Sequence, residues 1–343
     1  MRLLRSGERH CTAYCRAPTQ SRRFRIVSTA SPTLAPKPRV VWVDVARCLA
    51  MFFIMWMHAG AAPGWLGKPV GGAICLFFAM AGYFMPREAG KCAKRALKLG
   101  LAWLLWSFIS LGLFLLVRPE LQWTWDKVFG WGTSSYNVPL WFLRNLTIYQ
   151  LIIAALAALR VLPRYNWLVL ILMISFSWAA EPRQHMGLRF DWMQAVMLGY
   201  CLRCVPLETI RTWLSRNALA IISCIIIMHF QRAWHPDMLE HFDIASYGCS
   251  LPMESLTYAV LYCMVGIGME RFLPRLSHPL ATAGSCMLFT YAAHSLLYAP
   301  IYHYKLHGFY DVWIPLVGLI ILTTLGTWLT RKCPRTMRLL CAK

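Results

Sequence analysis

The sequence predicts an all-α polytopic membrane protein of about ten transmembrane helices with both termini in the cytoplasm. Three observations predict it. Hydrophobic residues make up 58% of the 343-residue chain against 14% charged, and the mean hydropathy is +0.48. Apolar runs of roughly 16–22 residues recur, which is bilayer length, and they are apolar nearly all round rather than on one helical face. Lys and Arg are concentrated in alternate connections.

Taken in order, spans are expected at 40–61, 69–86, 96–117, 138–158, 166–180, 190–206, 217–230, 253–269, 280–301 and 312–330, the fifth and seventh being short. Transmembrane strands would need alternating segments of about ten residues, and the sequence has none. With the N-terminus inside, the inner segments hold 26 Lys and Arg and the outer loops seven, while Arg47 and Arg144 lie within spans or at their mouths. That asymmetry sets the orientation in a cell (inner or plasma) membrane. The formal charge of +21 then reflects topology and contact with anionic membrane lipid. Nucleic-acid binding is not expected, because the basic residues are scattered over several loops and no recognised binding module accompanies them.

Residues 1–39 hold eight Arg, one Lys and a single acidic residue. Such a composition builds no core, and a disordered basic cytoplasmic extension is expected. A polybasic membrane-surface segment, a transit-like peptide and an extension of no consequence remain open; the apolar stretch of a signal peptide is missing. Residues 40–330 form the transmembrane domain and 331–343 a basic cytoplasmic tail. The longer loops, 118–137 with Trp123, Trp125, Phe129, Trp131 and Tyr136, and 231–252 with His235, Asp237, Glu240, His241 and Asp243, fall outside. Their aromatic residues suit an interfacial belt, or a platform for a carbohydrate. Most of the thirteen cysteines sit in apolar spans as small hydrophobes. Cys201-Leu-Arg-Cys204 is a lone C-x-x-C without a second pair, and His10, Cys11 and Cys15 are no stronger, so no metal site is expected.

The first span carries the chemistry. Ionisable groups at membrane depth cost roughly 2.5–3.5 kcal/mol each, yet this span holds Asp44, Arg47 and His58. At about 100° per residue, eleven steps bring Arg47 and His58 onto one face, some 16 Å apart along the axis. Asp44 lies about 21 Å from His58 and is better placed to pair with Arg47 at i,i+3. An intramembrane histidine by itself is also explained by packing or hydrogen bonding.

Val43-Asp44-Val45-Ala46-Arg47 followed after ten residues by His58 resembles the first-span motif of the acyltransferase-3 family of membrane acyltransferases. Further elements come in order along the chain. Phe77-Phe78-Ala79-Met80-Ala81-Gly82-Tyr83-Phe84 is similar to the family's FFxxSGYL, with Ala81 where serine is common. Lys94-Arg95-Ala96-Leu97-Lys98 is similar to its cytoplasmic R-x-x-R, with Lys98 in the last place. Pro139-Leu140-Trp141-Phe142-Leu143-Arg144 resembles PLWFL, and Thr290-Tyr291-Ala292-Ala293-His294 resembles a late YLxH. The resemblance covers roughly residues 40–330. It implies transfer of an acyl group, expected to be acetyl, from cytoplasmic acyl-CoA to a hydroxyl of an extracytoplasmic glycan or similar acceptor. No fused extracytoplasmic hydrolase-like domain is expected, so an auxiliary transfer protein completes the reaction or the bundle acts alone.

The residues suit that chemistry on their own terms. An alcohol is a poor nucleophile and needs a base near neutral pKa, for which His58 in the outer half is the candidate. The phosphates of CoA need cationic donors at the inner surface, and Arg47, Arg95 and Lys98 stand there; Lys98 lacks the fork an arginine would supply. Arg144, at the outer end of the fourth span, suits a glycan hydroxyl or the thioester oxygen, or else a lipid headgroup. His294 in mid-span and Glu254 at the start of the eighth are candidates for a second acid/base group, or satisfy the bundle. A rival reading from another class remains. A transporter of a polar solute or glycan precursor would also keep buried His, Arg and Asp, though no internal repeat marks inverted halves.

Overall fold

The structure, a computed structural model, describes residues 39–59, 66–117, 123–129, 139–179, 190–234, 253–303 and 313–341. The chain divides into two units, Met1–Arg39 and Val40–Lys343, and the helical bundle is the second of them. The expectations placed on residues 1–38, and on Trp131, Tyr136, His235, Asp237, Glu240, His241 and Asp243, lie outside the described residues, as does the side chain of Glu254.

All regular structure among the described residues is helical. The helices are α1 (Val41–Met57), α2 (Gly67–Tyr83), α3 (Ala89–Val117), α4 (Trp125–Phe129), α5 (Leu140–Ala158), α6 (Asn166–Ala179) and α7 (Phe190–Leu202). They continue as α8 (Leu207–Arg216), α9 (Ala218–Trp234), α10 (Met253–Phe272), α11 (Pro274–Gly284), α12 (Met287–His303), α13 (Trp313–Lys332) and α14 (Pro334–Leu340). Each expected span has a helix on it. By length and composition, α3, α5 and α13 can cross a membrane, and two bent pairs, α8 with α9 and α11 with α12, bring that number to five. The outward faces of α6 and α13 expose Leu168, Ile171, Leu172, Val317, Ile320 and Ile321. An apolar exterior of that kind belongs in lipid.

One bent pair corrects the expected ninth span, and the other breaks at 217, where the seventh span was expected to begin. Residues 280–284 belong to α11, which meets α12 at 74°, so the helix on the ninth span begins at Met287 instead. The break falls at Ser285 and Cys286, where the Ser285 hydroxyl donates to the Thr282 carbonyl at 2.7 Å and offers the backbone an alternative to continuing the helix. Likewise α8 meets α9 at 66°. There Asn217 ends α8 by donating its side-chain amide to the Trp213 carbonyl at 2.8 Å.

Helices α1 and α2 occupy the centre. Helix α1 packs against α2, α10, α11 and α13, and α2 against α7 and α10. Trp42, Val45, Ala46, Cys48, Met51 and Met55, which point around the whole helix, are all buried, as expected of a helix surrounded by others. A second layer is made by α3 on α5. The last helix, α14, is tied to α3 by the Trp106 indole, which donates to the Leu340 carbonyl at 3.1 Å. Residues 331–343, expected as a tail, thus include a packed helix with Met337 and Cys341 buried.

Close packing of α2 on α7 rests on two small residues. A Cβ on Gly82 would strike the Val196 carbonyl, and one on Gly199 would strike the Ala79 carbonyl, so each helix lies in a notch of the other. Small residues at such crossings let backbones approach and gain contact where lipid supplies no hydrophobic drive. Gly199→Ala is therefore expected to destabilise the protein by about 1–3 kcal/mol, the range for overpacking a filled site. Gly112→Ala is the control: it sits in an open, exposed stretch of α3 and should be neutral or stabilising by at most about 1 kcal/mol. Thermal unfolding of the detergent-solubilised variants measures both.

Candidate functional site

Helix α1 ends at Met57, and His58 is its C-cap, with the His58 N–H donating to the Ile54 and Met55 carbonyls at 3.3 and 3.2 Å. The histidine therefore stands at the end of the helix rather than within it. Its ring lies against that of His294 on α12, the centroids 5.2 Å apart and the planes tilted by 46°. Two histidines 236 positions apart in the chain thus form one contact pair.

His294 is completely buried. Its Nδ1 lies 2.6 Å from the Tyr291 carbonyl oxygen. A carbonyl only accepts, so Nδ1 carries the hydrogen and donates, which leaves the Nε2 of the neutral ring with its lone pair. Nε2 is buried and meets no hydrogen-bond partner among the described residues. The arrangement presents an unoccupied basic nitrogen beside His58. Tyr291 and Tyr298 flank the His294 ring edge-on at 5.7 and 6.0 Å.

Tyr291 also lines a cavity of about 370 Å³. Its walls include Arg47 from α1, Arg95 from α3, Phe142 from α5, Tyr291 from α12, and Phe84 and Cys341. Arg47 reaches Asp44 at 3.5 Å, the i,i+3 pair expected from the sequence. The bond is long, and the Arg47 Nε–H is buried without a partner among the described residues. Arg95 donates to the Phe84 carbonyl at 2.6 Å, which anchors its guanidinium across the end of α2. The bend between α11 and α12 contributes Gly284 and Ser285 to the same walls. A Cβ at Gly284 would run into the Asp44 carbonyl, so only glycine brings α11 this close to the Asp44–Arg47 turn.

Of the predicted residues, Asp44, Arg47 and Arg95 meet at this cavity, and His58 and His294 meet beyond its Tyr291 wall. Lys98 does not join them. It is exposed on α3 and lies off the cavity walls, to which α3 contributes Arg95 and Leu99. Arg144 lies off the cavity walls as well. It stands in the second turn of α5, where its side chain is buried, 3% exposed, and its Nε donates to the Asn145 carboxamide oxygen at 3.2 Å. The reason is the register of α5, which directs neighbouring Phe142 and Leu146 to the cavity and Arg144 into the bundle.

Sequence reasoning passed over Tyr291, Phe84 and Cys341. Tyr291 and Phe84 lie inside motifs already singled out, and that adjacency was the available signal; Cys341 offered none. Cys201 is buried and Cys204 exposed, both as free thiols. Among the described residues no group of three or more His, Cys, Asp or Glu is placed to hold a metal ion.

A cavity lined by two guanidinium groups suits an anionic ligand, and a pair of imidazoles in contact beyond its wall suits proton transfer. A family model described as an acyltransferase domain matches residues 40–332. No curated protein and no solved structure matches the chain.

Proposed function

This chain belongs to acyltransferase family 3 and is a membrane acyltransferase, and from that premise we propose that it moves an acyl group, acetyl in the simplest case, from cytoplasmic acyl-CoA to a hydroxyl of an extracytoplasmic glycan. Family membership also decides between the enzyme and the transporter in favour of the enzyme. The observation that carries the finer reading is the continuity of the site. An arginine-lined cavity shares Tyr291 with the His294–His58 pair, which puts the proposed donor site and the proposed base in neighbouring parts of the bundle.

In the proposed reaction Arg47 and Arg95 hold the CoA phosphates, and Asp44 steadies Arg47. The acceptor hydroxyl oxygen attacks the thioester carbonyl carbon while His58, the more exposed of the two histidines, takes the hydroxyl proton. The carbon–sulfur bond breaks, the acyl group leaves on the acceptor oxygen, and the proton passes to the departing CoA sulfur. His294 positions and supports His58, its Nε2 lone pair offering an acceptor for the imidazolium proton. Arg144 acts from within the bundle, holding α5 so that Phe142 and Leu146 shape the cavity. A surface or membrane-bound glycan supplies the acceptor, and an auxiliary protein completes transfer where the acceptor is distant. In the proposed topology the chain crosses a cell membrane ten times with both termini in the cytoplasm, the two substrates arrive from opposite faces, and α8 and α11 are the bent entries to two of the spans.

Topology mapping and the kinetics of four variants test this reading. Cysteine-accessibility mapping in intact cells should find 87–98 inside and both 118–137 and 231–252 outside; an opposite or same-side pattern overturns the topology. Arg95→Ala should raise the apparent KM for acetyl-CoA roughly ten- to a hundredfold, as expected from losing one or two charge-assisted bonds. Lys98→Ala should change it much less, since Lys98 stands off the cavity. His58→Gln, which keeps hydrogen bonding but takes no proton near pH 7, should fold, bind acetyl-CoA and lose about 10²–10⁴ in kcat. Adding His294→Gln to His58→Gln should cost less than the product of the single losses, because the second histidine works through the first. An active His58→Gln enzyme removes it as the base.

A further inference from the structure

A second cavity, of about 460 Å³, lies along an adjacent face of α2. Met80 is on the walls of both cavities and separates them. Trp42 from α1, Leu76 from α2, Leu198 from α7, Leu214 from α8 and Leu256 and Val260 from α10 line it, and among the described residues no charged side chain does. Such a space gives water too few polar partners and suits hydrocarbon.

Two observations say which hydrocarbon. Helix α8 is amphipathic: Ile210, Trp213 and Leu214 line the cavity, while Glu208, Arg211 and Arg216 lie off it. An amphipathic helix with a tryptophan, set at 66° to the apolar helix after it, belongs in the plane where headgroups meet acyl chains. The cavity mouth beneath α8 is then at ester depth. The second observation is Trp42. It is 1% exposed and lines the cavity, and its Nε1–H is buried with no acceptor among the described residues. An indole N–H only donates, and buried it needs an oxygen.

We propose that this cavity binds one acyl chain of a glycerophospholipid, whose ester carbonyl accepts the Trp42 N–H. A bare alkyl chain lacks that acceptor, and a polar solute finds few partners along the walls. Arg211 is paired with Glu208 and Glu270, and the exposed Arg216 at the end of α8 favours an anionic headgroup. The site is separate from the arginine-lined cavity and does not depend on the acyl-transfer reading.

The test uses the full chain reconstituted with phosphatidylglycerol carrying a photoreactive diazirine at mid-chain. The protein is re-extracted into detergent to strip the lipid shell, irradiated, digested and mapped by mass spectrometry. Adducts should concentrate on Leu76, Leu198 and Leu256 rather than on the exposed Ile171 and Ile320. Val260→Trp, which fills the cavity, should abolish them. Trp42→Phe keeps the ring and should lower retained lipid about two- to tenfold, the loss of one hydrogen bond. Adducts spread equally over Ile171 and Ile320 would mean shell lipid only and overturn the site. So would undiminished labelling in both variants. Displacement of the lipid label by long-chain acyl-CoA would assign the cavity to the donor's chain and overturn the phospholipid proposal.

Discussion

Everything at the arginine-lined end of the site depends on how closely α11 approaches α1. Asp44 and Arg47 sit near the start of a helix surrounded by other helices, and Gly284 comes against the Asp44 carbonyl with no room for a methyl group. That approach makes the bend at Ser285 and Cys286 part of the cavity wall, and it sets the start of α12. From there one turn of helix leads to Tyr291 and another to His294. A membrane bundle has little hydrophobic drive between helices, so such close contacts, summed over many atoms, hold it together.

The two histidines illustrate what a bundle does with buried polar groups. His294 is taken fully out of solvent, and one of its ring nitrogens is satisfied by the Tyr291 carbonyl of its own helix. That bond chooses the tautomer and aims the other nitrogen outward from α12. A buried acceptor without a partner carries a desolvation cost of about 1–3 kcal/mol, which a purely structural histidine would normally avoid. Its position against His58, at the end of α1, gives that cost a use in the proposed proton transfer.

The charged cavity and the apolar cavity share α2 as their common wall, and Met80 touches both. Their linings differ because the helices on either side differ: α3 brings Arg95 to one, and the amphipathic α8 brings only its apolar face to the other. One helix can serve both because its residues alternate between two neighbours at 3.6 per turn.

Much of this was legible along the chain. Apolar runs of bilayer length located a helix on each expected span, since in lipid the backbone must satisfy its own hydrogen bonds. The Asp44–Arg47 pair came from i,i+3 spacing alone, and the ordered motifs identified the family. What local pattern does not encode is which face of one helix meets which face of another. Lys98 and Arg95 are a turn apart, yet only Arg95 enters the cavity; Arg144 belongs to a recognisable motif, yet the register of α5 turns it inward. The break before α12 was hidden because small and apolar residues continue through it. The meeting of His58 with His294 across 236 positions came from the tertiary structure alone, because long-range contacts are set by packing of whole helices and not by any interaction between neighbours in sequence.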